Sequence, residues 1–306
     1  MRYWLPSFVV LFLLPPAASS ADPVWTRKED VIYSRKFGVA LTMDVFTPKE
    51  KANGAAIVYC ISGGFFSSKE AINPLIFTEA FNRGYTVFAV VHGSQPKFTI
   101  PEIVDDMHRA VRFIRHHARE YGIDPNRIGI TGGSAGGHLS LMMGCAGTDG
   151  DPKAKDPIDR GSSRVQAVAC FFPPTDFLNY GKEGEVALGT GVLAAFKAPF
   201  DFMEFDPKTR SFTPVTDEDK RKEIGRKISP IYFVDEKSAP TLLIHGDADK
   251  LVPIQQSERI IERLKAAKVP CELVVKKDEK HGWPTILTDV KTLIDWFDKH
   301  LQKPKE

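Results

Sequence analysis

The chain has 306 residues, 42% of them hydrophobic and 26% charged, which excludes a disordered tail protein, a collagen-like chain and a polytopic membrane protein. Forty-one Lys and Arg against 39 Asp and Glu leave a formal charge of +2, so bulk affinity for a nucleic-acid backbone has no source. Four cysteines are too few for a disulfide scaffold.

Residues 1–21 combine Arg2, an apolar run from Phe8 to Leu14, and the small-residue stretch Pro15-Pro16-Ala17-Ala18-Ser19-Ser20-Ala21. A positive start, a short apolar centre and a small-residue end predict a signal peptide, cut after Ala21. The apolar run falls short of the ~20 residues that cross a bilayer, so no stable membrane anchor is expected after removal. The expected location is secreted or periplasmic. Residues 22–306 then form a single domain. Its cysteines, Cys60, Cys145, Cys170 and Cys271, stand in apolar surroundings and are expected to be buried free thiols.

Val31–Phe37 and Ala40–Phe46 flank Gly38, which predicts an antiparallel hairpin. Continuous apolar runs then predict buried strands at Ala56–Ile61, Thr86–Val91, Ile128–Thr131, Val165–Phe172, Thr241–Ile244 and Glu272–Val275. Helical spacing predicts helices over Ser68–Asn82, Glu102–Tyr121, Ala135–Gly144, Gln255–Ala267 and Thr285–Leu301. Such alternation predicts an α/β fold, with a mostly parallel central sheet and helices on both faces. Residues 173–235 break it. They are rich in Pro, Phe, Gly and charge, with a polar helix expected at Thr213–Ile224, and read as a cap-like insertion that roofs the site.

The chemistry centres on Gly132-Gly133-Ser134-Ala135-Gly136, between a predicted strand and a predicted helix. Glycines beside a serine there permit a turn too tight for side chains, lifting the hydroxyl above the sheet at a helix N-terminus. No Lys-Ser/Thr follows, which sets aside a phosphate-cradling loop. A serine nucleophile needs a base, and His281 stands just past the strand Glu272–Val275. Asp247 and Asp249 both follow Thr241–Ile244, where an orienting carboxylate belongs, and spacing does not separate them. Ala135 supplies one N–H for an oxyanion, and the paired glycines of Ser62-Gly63-Gly64-Phe65-Phe66 allow close backbone approach for others. His92, at a strand end, either lines this site or caps a turn.

Ser62–Phe65, Asp124–Gly129 leading into Gly132–His138, His245–Pro253 and His281-Gly282-Trp283 give the chain its resemblance. It resembles the α/β-hydrolases, and among them the small serine esterases of the acetyl, acetylxylan and feruloyl esterase type. It is also similar to hormone-sensitive-lipase-like esterases and to prolyl-oligopeptidase catalytic domains. The resemblance implies a triad of Ser134, Asp249 and His281, with Asp-x-x-Val-Pro selecting Asp249. It also implies an oxyanion hole of the Gly64, Phe65 and Ala135 N–H groups, acting on short-chain acyl esters, small or polysaccharide-borne, with no metal and no organic cofactor. Relatives carry His-Gly-Gly-Gly where this chain has Ser62 and Phe65, and Phe65 and Phe66 are expected to narrow the pocket. A serine exopeptidase on the same triad and a non-catalytic binder of the same fold are the rival readings.

Overall fold

The computed structural model describes residues 23–301. The predicted signal peptide lies outside the described residues. In chain order the elements are β1 (Trp25–Lys36), β2 (Val39–Pro48), β3 (Ala56–Ile61), α1 (Thr78–Asn82), β4 (Thr86–Val91) and α2 (Ile100–His116). Next come β5 (Ile128–Thr131), α3 (Ala135–Ala146), β6 (Ala167–Phe171), β7 (Met203–Asp206), β8 (Ser211–Pro214) and α4 (Glu218–Lys227). The chain ends with β9 (Thr241–Gly246), α5 (Gln255–Ala266), β10 (Cys271–Lys276) and α6 (Ile286–Leu301).

Eight strands form one sheet in the order β1-β2-β4-β3-β5-β6-β9-β10. The pairs β1–β2 and β2–β4 are antiparallel and every later pairing is parallel. The first two strands form the predicted hairpin, joined by Phe37 and Gly38, both at positive φ, a conformation that matches the twist of the strands.

Both faces are covered, which explains the unbroken apolar runs. In β3, Ala56, Val58 and Cys60 pack into the layer that holds α2, α3 and α5, while Ile57 and Ile61 pack into the layer of α1 and α6. The α2 helix buries Ile103, Met107, Ala110 and Ile114 along one stripe, and Thr99 with Glu102 forms a capping box at its start. Order reverses between β3 and β5: β4 lies on one side of β3 and β5 on the other. The loops leaving these two strands therefore diverge, opening a crevice at the carboxyl edge of the sheet.

Three local expectations are corrected. Ser68–Asn82 is not one helix: 3₁₀ turns at Lys69–Ala71 and Pro74–Phe77 precede α1. Pro74 has no N–H to continue a ladder, and Asn73 accepts from Leu75 N and starts a new turn. The expected helix at Thr213–Ile224 is displaced. Ser211–Pro214 instead pairs with β7, and the helix begins only after Asp217, whose side chain caps Lys220 N at 2.8 Å. Finally, the aromatics of the insertion do not all face the site. Phe177, Tyr180, Phe200 and Phe202 join the α2–α3–α5 core, while Phe205 and Phe212 pair on the exposed β7–β8 hairpin.

All four cysteines are free; Cys60, Cys145 and Cys170 are buried and Cys271 is partly exposed. Among the described residues, no helix is long and apolar enough to cross a membrane.

Candidate active site

Ser134 joins β5 to α3 with φ 54° and ψ −119°, a strained conformation for a residue with a side chain. The turn is held by Ser134 N–H donating to Phe171 O at 3.0 Å and Phe171 N–H to Gly132 O at 3.0 Å. Its glycines are required by close approach. A Cβ on Gly132 would stand 2.6 Å from the Gly136 carbonyl carbon, and one on Gly136 would stand 2.7 Å from Cys60 O at the end of β3.

His281 lies on the loop after β10. Its Nδ1–H donates to Asp249 Oδ2 at 2.7 Å, which leaves Nε2 to accept from Ser134 Oγ at 3.0 Å. One further contact, itself backed by a second, fixes the ring. Phe172 packs against it at 4.5 Å between centroids, and Phe172 in turn meets the buried Trp283, whose Nε1–H donates to Asp289 at 2.7 Å. The loop can reach the end of β9 because Gly246 has no side chain; a Cβ there would stand 2.3 Å from Glu279 O.

Asp249 is the aspartate that meets His281. Oδ1 accepts the N–H groups of Leu251 and Val252, each at 2.9 Å. Burial raises its pKa, but hydrogen bonds from His245 and His281, the His281 charge and Val252 N–H outweigh burial and hold it well below the usual carboxylate value. Asp247 instead accepts Asp278 N–H at 2.6 Å and braces the two loops against each other.

Residues 63–66 form a closed turn in which Gly63 and Phe66 exchange backbone hydrogen bonds of 2.9 Å. Gly64 and Phe65 occupy its middle at φ 55° and 65°. Among the described residues neither donates its N–H to a loop or turn carbonyl, and Ala135, the first residue of α3, has no partner within the helix. Phe196, from the insertion, lies over this turn, so that a Cβ on Gly64 would be 2.5 Å from its ring.

A cavity of about 310 Å³ opens beside Ser134, lined by Tyr59, Ser62, Phe66, Asn73, Ile76, Phe77, Gly133 and Phe172 among others, with no charged side chain in its wall among the described residues. Phe66 narrows it as expected. Phe65 does not: it is buried against His138 and Phe200. No residue of 173–235 lines this cavity, so the insertion acts on the site through the oxyanion turn rather than as its roof.

Sequence reasoning missed three contributors. Phe172 adjoins a strand end and carries no motif. His245 donates to Val252 O at 2.9 Å and approaches Asp249 at 3.3 Å; it lies one residue before the glycine that admits the histidine loop, the one signal that pointed to it. Phe196 reaches Gly64 from a distant part of the chain and leaves no local trace. Among the described residues no group of three or more His, Cys, Asp or Glu is arranged to hold a metal. Asp149, Asp156 and Asp159 are instead ion-paired with Arg164 and Arg109.

A family model described as BD-FAE matches residues 43–264. A probable carboxylic ester hydrolase, LipM, of Mycobacterium tuberculosis is 28% identical over 77% of this chain and 51% of its own. The esterase LipC of the same organism is 27% identical over 74% of this chain and 53% of its own. The chain thus spans about half the length of these curated relatives. A solved structure titled as a truncated carbohydrate esterase from gut microbiota aligns with a TM-score of 0.72 and 26% identity, covering 92% of this chain and 99% of that one. The sheet order and two-faced helix layers are those of the α/β-hydrolase fold.

Proposed function

The chain belongs to the BD-FAE family, and on that footing we propose that it is a serine carboxylic-ester hydrolase working through an acyl-enzyme. The observation that carries the reading is the unbroken line Asp249–His281–Ser134, with links of 2.7 and 3.0 Å. Ser134 Oγ attacks the ester carbonyl while His281 Nε2 takes its proton. Asp249 holds His281 in the tautomer with Nδ1–H and stabilises the imidazolium that forms. The Gly64, Phe65 and Ala135 N–H groups receive the oxyanion, at ~3–4 kcal/mol for a well-aimed donor. His281 then protonates the departing alcohol, and a water it activates releases the acid.

Two features of the cavity support a small neutral ester as substrate. Its volume is at the low end for ligand sites, and Phe66, Phe77 and Phe172 wall it. An exopeptidase must hold a charged peptide terminus, and among the described residues the wall offers no counter-charge. The names of relatives and neighbours, carboxylic ester hydrolase and carbohydrate esterase, support ester rather than amide cleavage and an acylated carbohydrate as one substrate. With residues 1–21 read as a signal peptide, the place of action is outside the cytoplasm.

The test is kcat/KM on p-nitrophenyl acetate, butyrate and octanoate, on acetylated xylan, and on an aminoacyl p-nitroanilide. Acetate or butyrate ahead of octanoate, with negligible anilide cleavage, supports the proposal. Octanoate ahead by tenfold or more, or anilide cleavage at the ester rate, contradicts it.

A further inference from the structure

The oxyanion turn is bolted to a neighbouring loop at three points. Ser62 Oγ and His92 Nε2 stand 2.8 Å apart. Gln95 N–H donates to Phe65 O at 3.1 Å, and Ser67 N–H donates to Ser94 Oγ at 3.0 Å. The loop 92–95 is itself tied down: Gly93 N–H donates to Asp106 Oδ2 on α2 at 2.9 Å, and Asp106 is paired with Lys36 at 2.6 Å.

The direction of the Ser62–His92 bond follows from the chemistry. His92 Nδ1 faces Gly93 O at 2.8 Å, and a carbonyl can only accept, so Nδ1 carries the proton. Burial lowers the His92 pKa to about 4, helped by the Lys36 charge and opposed by the bond to Gly93, so the ring is neutral at working pH. Nε2 is then a lone pair, and Ser62 O–H donates to it. His92 is buried, whereas Ser62 lines the cavity beside Ser134. The bond thus runs from the buried interior to the residue that leads into the oxyanion turn.

We propose that the Ser62–His92 pair is a positioning device for ester hydrolysis, holding the Gly64 and Phe65 N–H groups on the oxyanion. Gly63 and Gly64 give the turn freedom to lose that aim, and its two middle residues sit at positive φ, which the local sequence alone does not secure. Ser62 adjoins the turn, so tethering its side chain restricts the backbone where Gly63 begins. The inference rests on the esterase reading above.

The test uses the full chain with p-nitrophenyl acetate. In Ser62→Ala, kcat is expected to fall by up to about 10²-fold while KM stays within about threefold. The inhibition constant of phenylboronic acid, which forms a tetrahedral adduct on the nucleophile, is expected to rise by a similar factor. The acid limb of the kcat profile stays in place, and Ser62→Thr recovers most of the rate. His92→Gln serves as a second arm, with melting checked for every variant. If the wild type does not turn over the ester, this inference falls together with the esterase reading. If the wild type is active and Ser62→Ala keeps kcat within about threefold, or Ser62→Thr fails to restore a lost rate, the positioning role alone is overturned.

Discussion

Asp247 and Asp249 stand two residues apart past the same strand, yet their side chains serve different ends. Asp249 accepts two backbone N–H groups and His281 Nδ1–H, with His245 Nε2 3.3 Å from its Oδ2, surroundings that keep it ionised and its Oδ2 aimed at the imidazole. Asp249→Asn keeps the size but offers His281 an amide in place of a carboxylate, so the wrong tautomer is favoured. The expected fall in kcat is about 10⁴-fold. Asp247→Asn removes the charge from one loop-bracing hydrogen bond and is expected to cost about 1 kcal/mol of stability with kcat within about tenfold. Steady-state kinetics on p-nitrophenyl acetate, with thermal melts, measure both, and a larger kcat loss from Asp247→Asn would exchange their roles. The choice between them was legible only through the resemblance, because both residues satisfy the same spacing. What separates them is the fold: Gly246 lets the Glu279–His281 loop close over β9 and deliver His281 to the second aspartate.

At the scale of elements, the parallel strands were legible because helices cover both of their faces, which turns each strand into a short unbroken apolar run. The elbow was legible because its glycines are demanded by contacts under 3 Å with Gly136 and with Cys60 O. Where the reading failed, longer-range packing or a single residue decided. Pro74 cut the expected helix at Ser68–Asn82, and Asp217 set the start of α4 five residues beyond Thr213. The insertion was found by its length, but its relation to the site was not. Phe196 meets Gly64, and Phe177 and Phe200 meet the α3 layer, through contacts that no local periodicity encodes. The cavity wall shows the same limit: Asn73, Ile76 and Phe77 come from the broken helix, and Phe172 from the residue just past β6.

Taken as a whole, the molecule holds histidines whose protonation the fold opposes, His92 and His138 buried and His108 half-buried. Burial lowers the pKa of His92, His108 and His138 to about 4 each; the Arg112 charge adds to the effect at His108, and the Lys36 charge at His92. An unfolded histidine titrates near ~6.5, so between that pH and 4 the unfolded chain binds more protons. The histidines' contribution to stability is therefore complete above about pH 6.5 and is lost as pH falls toward 4. Asp106 opposes this in part, because burial raises its pKa to about 6 and acid relieves the cost of its charge. Asp249, held low, begins to lose its own contribution only below ~pH 4, the unfolded carboxylate value. Desolvation also lowers the pKa of His300 and raises that of Asp105, so four histidines face two aspartates, and Tm by calorimetry is expected to fall steadily from pH 7 to pH 4.5; a flat or rising Tm over that range contradicts the account. The whole architecture converges on one hydroxyl, raised at the crevice where strand order reverses and set 3.0 Å from His281. The most direct measurement is therefore kcat for p-nitrophenyl acetate in wild type and in Ser134→Ala, each folded by circular dichroism. The account predicts clear wild-type turnover and a loss of roughly 10⁴–10⁶-fold in the variant; a variant that keeps a tenth or more of the wild-type rate would contradict it.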